Sequence, residues 1–223
     1  MDSKQLQTLF SIIRECPYFN EKNPPCKRIK KFKPVINNFS PEQKYMIISS
    51  DPSGDTDKTL AESVPHSDFA IRFLSLIFSG NDDKKNASLT KNNYAQLFRI
   101  FNKYFYWTHV AKCYCKGNPN LSCAKEYLLR EVELFKPRLL IIISNKAADF
   151  LMGNKPLTER VCKNLNYQGI PTFCSLHPSR DWNLNKRPKY KFDETWKIIR
   201  SKLRFSSEDK AVIESIFSQQ IFP

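Results

Sequence analysis

The residues best suited to chemistry are an aspartate in a tight turn and three histidines near predicted strand ends. Asp51 lies in the segment SSDPSG, residues 49–54, directly after the apolar residues 45–48. Pro52 restricts Asp51 to extended geometry, which directs the carboxylate out of the turn. A carboxylate in this position can activate a water or stabilise a positive charge. The alternative interpretation is that the Asp-Pro pair only caps a turn.

The three histidines of the chain, His66, His109 and His177, all fall in polar loops or at strand ends. His109 lies near the end of the second predicted strand, His177 lies just after the fourth, and His66 follows the Asp51 turn. In a parallel sheet the carboxyl ends of the strands share one edge, where such sheets bind ligands. We therefore expect Asp51 and the histidines to converge there. Taken alone, each histidine is more typical of a surface or core position.

The elements that would position these residues form an α/β fold. The run LLIIIS, residues 139–144, is typical of a strand buried on both faces. Strands alternate with helices, which favours one domain over residues 1–223 with a central four-stranded parallel sheet flanked by helices. Its ends are an N-terminal helix and loop (1–44) and C-terminal helices (193–223), and Ser122 is the predicted cap of a middle helix. The predicted strands are 45–49, 107–112, 139–144 and 171–175; the predicted helices are 3–16, 68–78, 93–104, 123–135, 146–152, 157–165, 193–204 and 207–218.

Composition points to a polyanionic partner. Among the 223 residues, 36 are Lys or Arg and 22 are Asp or Glu, giving a formal net charge of +14. An excess of this size favours nucleic acid, although solubility alone is the alternative explanation. No apolar run approaches the ~20 residues of a transmembrane helix, and no secretory signal is apparent. We expect an intracellular monomer that binds nucleic acid and no membrane.

The seven cysteines argue against a disulfide framework. Their number is odd, no CxxC pair occurs, and no secretory signal accompanies them. Buried thiols or a metal site are the two interpretations that remain.

Four segments together resemble the uracil-DNA glycosylase superfamily. They are SSDPSG (49–54), THVAKC (108–113), the stretch CAKEYLLREVELFKPRLLIIISNKAADFL (123–151) and LHPSR (176–180). The resemblance covers about residues 45–179 and implies the fold of that superfamily. The second and third segments are similar to its iron–sulfur-containing branch, whereas Asp51 stands where that branch has alanine.

The resemblance implies a DNA repair enzyme that hydrolyses the bond between a flipped-out damaged base and its sugar. His177 would stabilise the leaving base by a hydrogen bond. Asp51 would position a water and favour the cationic sugar. Arg180 or Trp182 would wedge into the base stack; a surface cation and a packed indole are the alternatives. The implied substrate contacts are Ser50, Pro52, His66, His109 and Ser144, and the implied DNA contacts are Ser53, Pro178, Ser179, Arg180, Trp182, Lys186 and Arg187.

Departures from the family pattern leave the damaged base open. His66 stands where the family stacks an aromatic ring, and His109 stands where the iron–sulfur branch has an asparagine that reads uracil. Ser49 and Ser144 replace glycines, which narrows the space around the backbone. The substrate is therefore uracil or another deaminated or damaged base, released by a monofunctional glycosylase. A non-catalytic nucleic-acid-binding protein is the alternative; a phosphate-binding enzyme is disfavoured, because the Asp51 turn lacks clustered glycines.

The resemblance also bears on the cysteines. The iron–sulfur branch holds a [4Fe–4S] cluster with two cysteines near the N-terminus and two around the second strand. Cys16, Cys26, Cys113 and Cys123 are the implied ligands, with Cys115 as a spare. The alternative is that all seven cysteines are unliganded.

Overall fold

The computed structural model describes residues 3–19, 34–37, 39–52, 68–80, 91–115, 119, 121–178 and 191–218. In these residues one sheet has the strand order β2-β1-β3-β5-β4. Every neighbouring pair is parallel except the antiparallel pair β4–β5. The predicted α/β fold with a parallel core is confirmed, with a fifth strand at its edge. The strands are β1 (Tyr45–Ser49), β2 (Phe105–His109), β3 (Leu139–Ile142), β4 (Leu165–Tyr167) and β5 (Ile170–Cys174).

Helices cover both faces of the sheet. The helix over residues 121–135 contains a π-helical turn, Ala124–Leu128, between the α-helical Leu121–Cys123 and Leu129–Phe135. Among the described residues, no helix has the length and apolar content needed to cross a membrane. The helices are α1 (Ser3–Arg14), α2 (Asp68–Ser79), α3 (Lys91–Tyr104), α4 (121–135), α5 (Asn145–Met152), α6 (Phe192–Lys202) and α7 (Ser207–Ser218).

The two sides of the sheet have separate cores. Tyr45, Ile47 and Trp107 point into a core formed with α2, α3, α6 and α7, which we call the aromatic side. Met46 and Tyr106 point into the opposite core, formed with α1, α4 and α5, which we call the cysteine side. Since successive strand residues face opposite sides, this alternation decides which residues can reach a site at the strand ends.

The second strand begins and ends earlier than the predicted 107–112. Helix α3 ends at Tyr104 and β2 follows at Phe105 without a loop. The strand ends at His109, where the chain bends and the Lys112 side chain folds back onto Thr108 and the His109 carbonyl. The third strand likewise ends at Ile142 rather than at residue 144. The fourth predicted strand is present as β5, shifted by one residue.

The predicted helix 157–165 is wrong. Only Leu157–Glu159 is helical, as a single 3-10 turn, and Leu165 is the first residue of β4. Strands β4 and β5 form a hairpin around Gln168 and Gly169, whose φ angles are 50° and 86°. Two adjacent residues of positive φ are typical of a tight hairpin turn that matches strand twist.

The other helices agree with the prediction to within two residues at each end. The exception in detail is Ser122, predicted to cap a helix starting at residue 123. Helix α4 begins at Leu121, so Ser122 lies inside its first turn. At the other end Lys136 adopts a left-handed conformation, which ends α4 before Pro137.

Candidate active site

The floor of the candidate site is Trp107, on the aromatic side of β2. Its ring centroid lies 6.4 Å from that of His109 and 6.5 Å from that of His177. Its Nε1–H donates a hydrogen bond of 2.9 Å to Ser49 Oγ, and Ser49 pairs with His109 in the β1–β2 register. One indole thus brings together the two described histidines that the sequence singled out. Sequence reasoning missed Trp107, since an indole in a strand looks like ordinary core.

His109 is held in its neutral form. The residue is buried, and its burial lowers the pKa of the imidazole to about 3, with the charge of Lys112 and electrostatic interaction with His177 acting in the same direction. A neutral imidazole has one N–H donor and one nitrogen acceptor. His109 can therefore donate one hydrogen bond and accept one without carrying charge.

The loop that carries His177 is anchored by a buried arginine. The Ser175 N–H bonds to the Ile142 carbonyl, so the chain still follows β3 beyond the end of β5. Arg72 of α2 donates from Nη1 to the Pro178 carbonyl at 2.6 Å, and its guanidinium lies 5.4 Å from the Phe192 ring centre. The signal for Arg72 was present in the sequence, because a cation within the apolar run of α2 needs a partner.

Asp51 follows β1 and is tied to the segment after β2. Its Oδ2 accepts the Cys115 N–H at 2.9 Å. The Ser50 carbonyl accepts the Ala111 N–H at 3.1 Å, while Ser50 Oγ is buried without a hydrogen-bond partner among the described residues. Pro52 is buried. A backbone amide thus orients the aspartate, and the Ser50 hydroxyl has unused hydrogen-bonding capacity among the described residues.

The topology separates Asp51 from His177 by one strand. Strand β3 lies between β1 and β5, so the backbones that carry the two residues are about 10 Å apart at the usual strand spacing. Ser144, at the end of β3, is buried, and its hydroxyl caps α5 by accepting the Ala147 N–H. Its hydroxyl therefore serves the start of the helix rather than the candidate site.

A buried ion pair lies behind His109, on the cysteine side. Lys112 donates to Glu131 of α4, and the two side chains are 2% and 0% exposed. Glu131 also accepts the hydroxyls of Thr108, at 2.8 Å, and Tyr106, at 2.9 Å. Sequence reasoning missed this pair. A glutamate three residues after Leu128 on the buried stripe of α4 was the available signal.

Four cysteines line one small cavity on the same side of the sheet. They are Cys16, Cys113, Cys115 and Cys123, around a volume of about 30 Å³. Burial raises the pKa of the Cys123 thiol to about 11, partly opposed by the Lys112 charge and by the Lys112 N–H that bonds its sulfur. Among the described residues, no three His, Cys, Asp or Glu side chains are close enough to hold one metal ion.

Eight residues singled out from the sequence lie outside the described residues. They are His66, a predicted base contact; Cys26, a predicted cluster ligand; and the predicted DNA contacts Ser53, Ser179, Arg180, Trp182, Lys186 and Arg187.

The fold defines an α/β protein with a mostly parallel sheet, and the candidate residues lie after the carboxyl ends of its strands. Residues 36–200 match the family model of the uracil DNA glycosylase superfamily. The match spans well over half of the chain and includes all five strands, so the protein belongs to that superfamily. Membership implies DNA glycosylase activity and DNA as the substrate.

Proposed function

We propose that this protein is a monofunctional DNA glycosylase that removes uracil or another deaminated base from DNA. The observation that carries the proposal is the arrangement at the strand ends. An oriented carboxylate, Asp51, and a histidine, His177, follow strands on either side of β3, with neutral His109 beside them. This arrangement suits a reaction in which positive charge develops on a sugar and negative charge on a departing base.

In the proposed reaction the bond between the sugar and the base breaks first. His177 stabilises the departing base by a hydrogen bond to its developing negative charge. Asp51 stabilises the cationic sugar and accepts a proton from the water that attacks it. The amine of Lys112, which follows His109 by three residues, is buried and paired with Glu131. Water rather than an amine is therefore the proposed nucleophile, as expected for a monofunctional enzyme.

The choice of base is proposed to depend on His109. Deamination replaces an amino group of a base with a carbonyl, that is, a donor with an acceptor. A neutral His109 would donate its N–H to such a carbonyl. It would disfavour the amino group, because two donors that face each other both stay without a hydrogen bond. An imidazole cannot offer the paired donor and acceptor of an amide to uracil. This difference extends the candidates from uracil to hypoxanthine and xanthine.

The affinity for DNA is proposed to come from the loop around Pro178 and from the positive net charge of the chain. Pro178 is fixed by Arg72, so the residues that follow it start from a defined point. The proposed DNA contacts are Ser53, Pro178, Ser179, Arg180, Trp182, Lys186 and Arg187, acting in a monomer. With a net charge of +14, we expect affinity to fall steeply as salt rises.

A [4Fe–4S] cluster bound by Cys16, Cys26, Cys113 and Cys123 is proposed as a structural cofactor. Three of these four thiols line one cavity, which supports the proposal, and thiolates are the ligands that such clusters require. The cavity of about 30 Å³ has room for no more than one or two waters. The thiols therefore fit the cluster in chemistry, while binding it requires the segments around the cavity to move apart. A cluster would supply structural cross-linking of the N-terminal segment to the sheet.

The test is a strand-nicking assay on oligonucleotides that carry uracil, hypoxanthine or xanthine, followed by alkali to cleave abasic sites. We expect a nick on at least one substrate, and a loss of activity on the order of 10³-fold in Asp51→Asn, because a positioned acid–base group contributes at that scale. Glu133→Gln is the matched control, since it removes an exposed carboxylate of α4. DNA binding without a nick on any substrate would favour the non-catalytic binding protein.

A further inference from the structure

The ion pair between Lys112 and Glu131 is placed where a purely structural pair would be a poor choice. Both side chains are almost fully buried, on the cysteine side of the sheet directly behind the end of β2. Removing two charges from water is costly, and apolar residues of similar volume often stabilise a protein as well or better. The pair therefore calls for an explanation other than stability.

The charged groups of this ion pair use their full hydrogen-bonding capacity. Lys112 Nζ donates to Thr108 Oγ1 at 2.6 Å, to the His109 carbonyl at 2.9 Å and to Glu131. Glu131 accepts the hydroxyls of Thr108 and Tyr106 as well. Each ammonium hydrogen has an acceptor, and both carboxylate oxygens are used. A network of this kind fixes the directions of its members more sharply than apolar packing does.

What the network fixes is the segment that carries His109. Thr108 and the His109 carbonyl are held from the side opposite to the His109 ring. The Lys112 backbone adds two further ties, because its N–H bonds to Cys123 Sγ at 3.3 Å and its carbonyl accepts the Val35 N–H at 2.7 Å. On the other side of the sheet the imidazole lies beside the Trp107 ring, with 6.4 Å between the ring centroids, and within electrostatic reach of His177.

We propose that Lys112 and Glu131 act as a positioning pair that sets the depth and tilt at which the His109 imidazole meets the substrate base. Neither residue touches the base. They act through the backbone of Thr108 and His109, which they hold against displacement when a base enters. This role rests on the proposed function, because it assumes that His109 contacts the base.

The test is a double-mutant cycle on kcat/KM for the base found in the nicking assay. The first change is the combined Lys112→Met and Glu131→Leu, which removes both charges and avoids leaving one of them buried alone. The second change is His109→Ala. We expect the apolar pair to lower kcat/KM about tenfold in the chain with His109 and by less than about twofold in the His109→Ala chain, because positioning has no value once its target is gone.

The thermal midpoint separates positioning from stability. The apolar pair should shift the midpoint equally with and without His109. An equal fall of kcat/KM in both backgrounds would overturn the proposal and leave the pair a structural feature. If that happens while Asp51→Asn still abolishes nicking, the proposed function stands and only the positioning role fails. Absence of any nick from the unaltered chain would overturn both.

Discussion

The two sides of the sheet fix the site in different ways. On the aromatic side the floor of the site is held by ring contacts, with Trp107 4.6 Å from Phe73 and 6.3 Å from Phe101 between ring centroids. On the cysteine side the same strand is held by the hydrogen-bonded charges of Lys112 and Glu131. Ring packing excludes water but tolerates small rotations, whereas hydrogen bonds specify direction. The molecule thus combines an apolar floor with a polar support behind it.

This difference predicts unequal costs of substitution on the two sides. A packed ring that is trimmed leaves a cavity, whereas a broken buried ion pair leaves a charge without a partner. Glycosylase activity should therefore respond to the ring side through the shape of the floor and to the charged side through the orientation of His109.

The largest effect on stability is expected for Glu131→Ala. It leaves the Lys112 ammonium buried without its carboxylate, which costs about 3 kcal/mol or more of unfolding free energy. The matched control is Lys103→Met, which breaks the pair between Lys103 and Asp209. The Lys103 side chain is 40% exposed, so its loss should cost less than about 1 kcal/mol. Urea unfolding of both variants gives the comparison, and equal costs would show that burial of the first pair has no energetic consequence.

A smaller effect is expected in the acid stability that His109 controls. Burial lowers the pKa of His109 to about 3 in the folded protein, whereas an exposed histidine titrates near 6.5. Below pH 6.5 His109 therefore binds a proton in the unfolded chain but not in the folded one. The free energy of unfolding falls with falling pH down to about pH 3. At pH 5 the accumulated loss is about 2 kcal/mol.

His109→Gln removes this titration and keeps a side chain that can hydrogen-bond. Unfolding free energies at pH 7 and pH 5 should therefore differ by about 2 kcal/mol less in His109→Gln than in the unaltered chain. His177→Gln is the control, because His177 is only half-buried. An identical pH dependence in the unaltered chain and in His109→Gln would contradict the neutral, buried state of His109.

The sequence predicted the central strands of the sheet better than the hairpin and the long-range contacts that hold these strands in place. Strand β3 was recognisable because a short apolar run that is buried on both faces has no other common use. Hairpin β4–β5 was missed, since its turn uses Gln168 where asparagine or aspartate would signal a tight turn. The positions of Asp51, His109 and His177 follow from strand ends alone, and their roles stay predictions.

Long-range partners were beyond the reach of sequence patterns. Glu131 and Lys112 are 19 residues apart in the sequence, and the packing of α4 against the sheet brings them together. Arg72 and Pro178 are more than 100 residues apart. A charged residue in an apolar run predicts that a partner exists, but the sequence does not identify that partner. The single-domain organisation and the residues that grip DNA also stay predictions.

The smallest effect, and the most local one, is expected for Arg72→Lys. Arg72 joins the Pro178 carbonyl to the Phe192 ring, and Arg200 has the same construction elsewhere on the aromatic side, with the Phe78 carbonyl and the Phe205 ring. Lysine keeps the charge but loses the planar group that bonds and stacks at once. We expect Arg72→Lys to lower kcat about tenfold, because the His177 loop loses its anchor, and Arg200→Lys to leave kcat within about twofold.

The pair of arginine variants separates support of the site from support of the fold. Both substitutions disturb one carbonyl contact and one ring contact, and the thermal midpoint of each variant measures what this costs the stability of the fold. Of the two arginines, Arg72 is the one bonded to the described part of the loop after β5, so its variant alone should change catalysis. Equal losses of kcat would mean that both arginines act on the fold alone, and the aromatic side would then influence the reaction through Trp107 rather than through the loop.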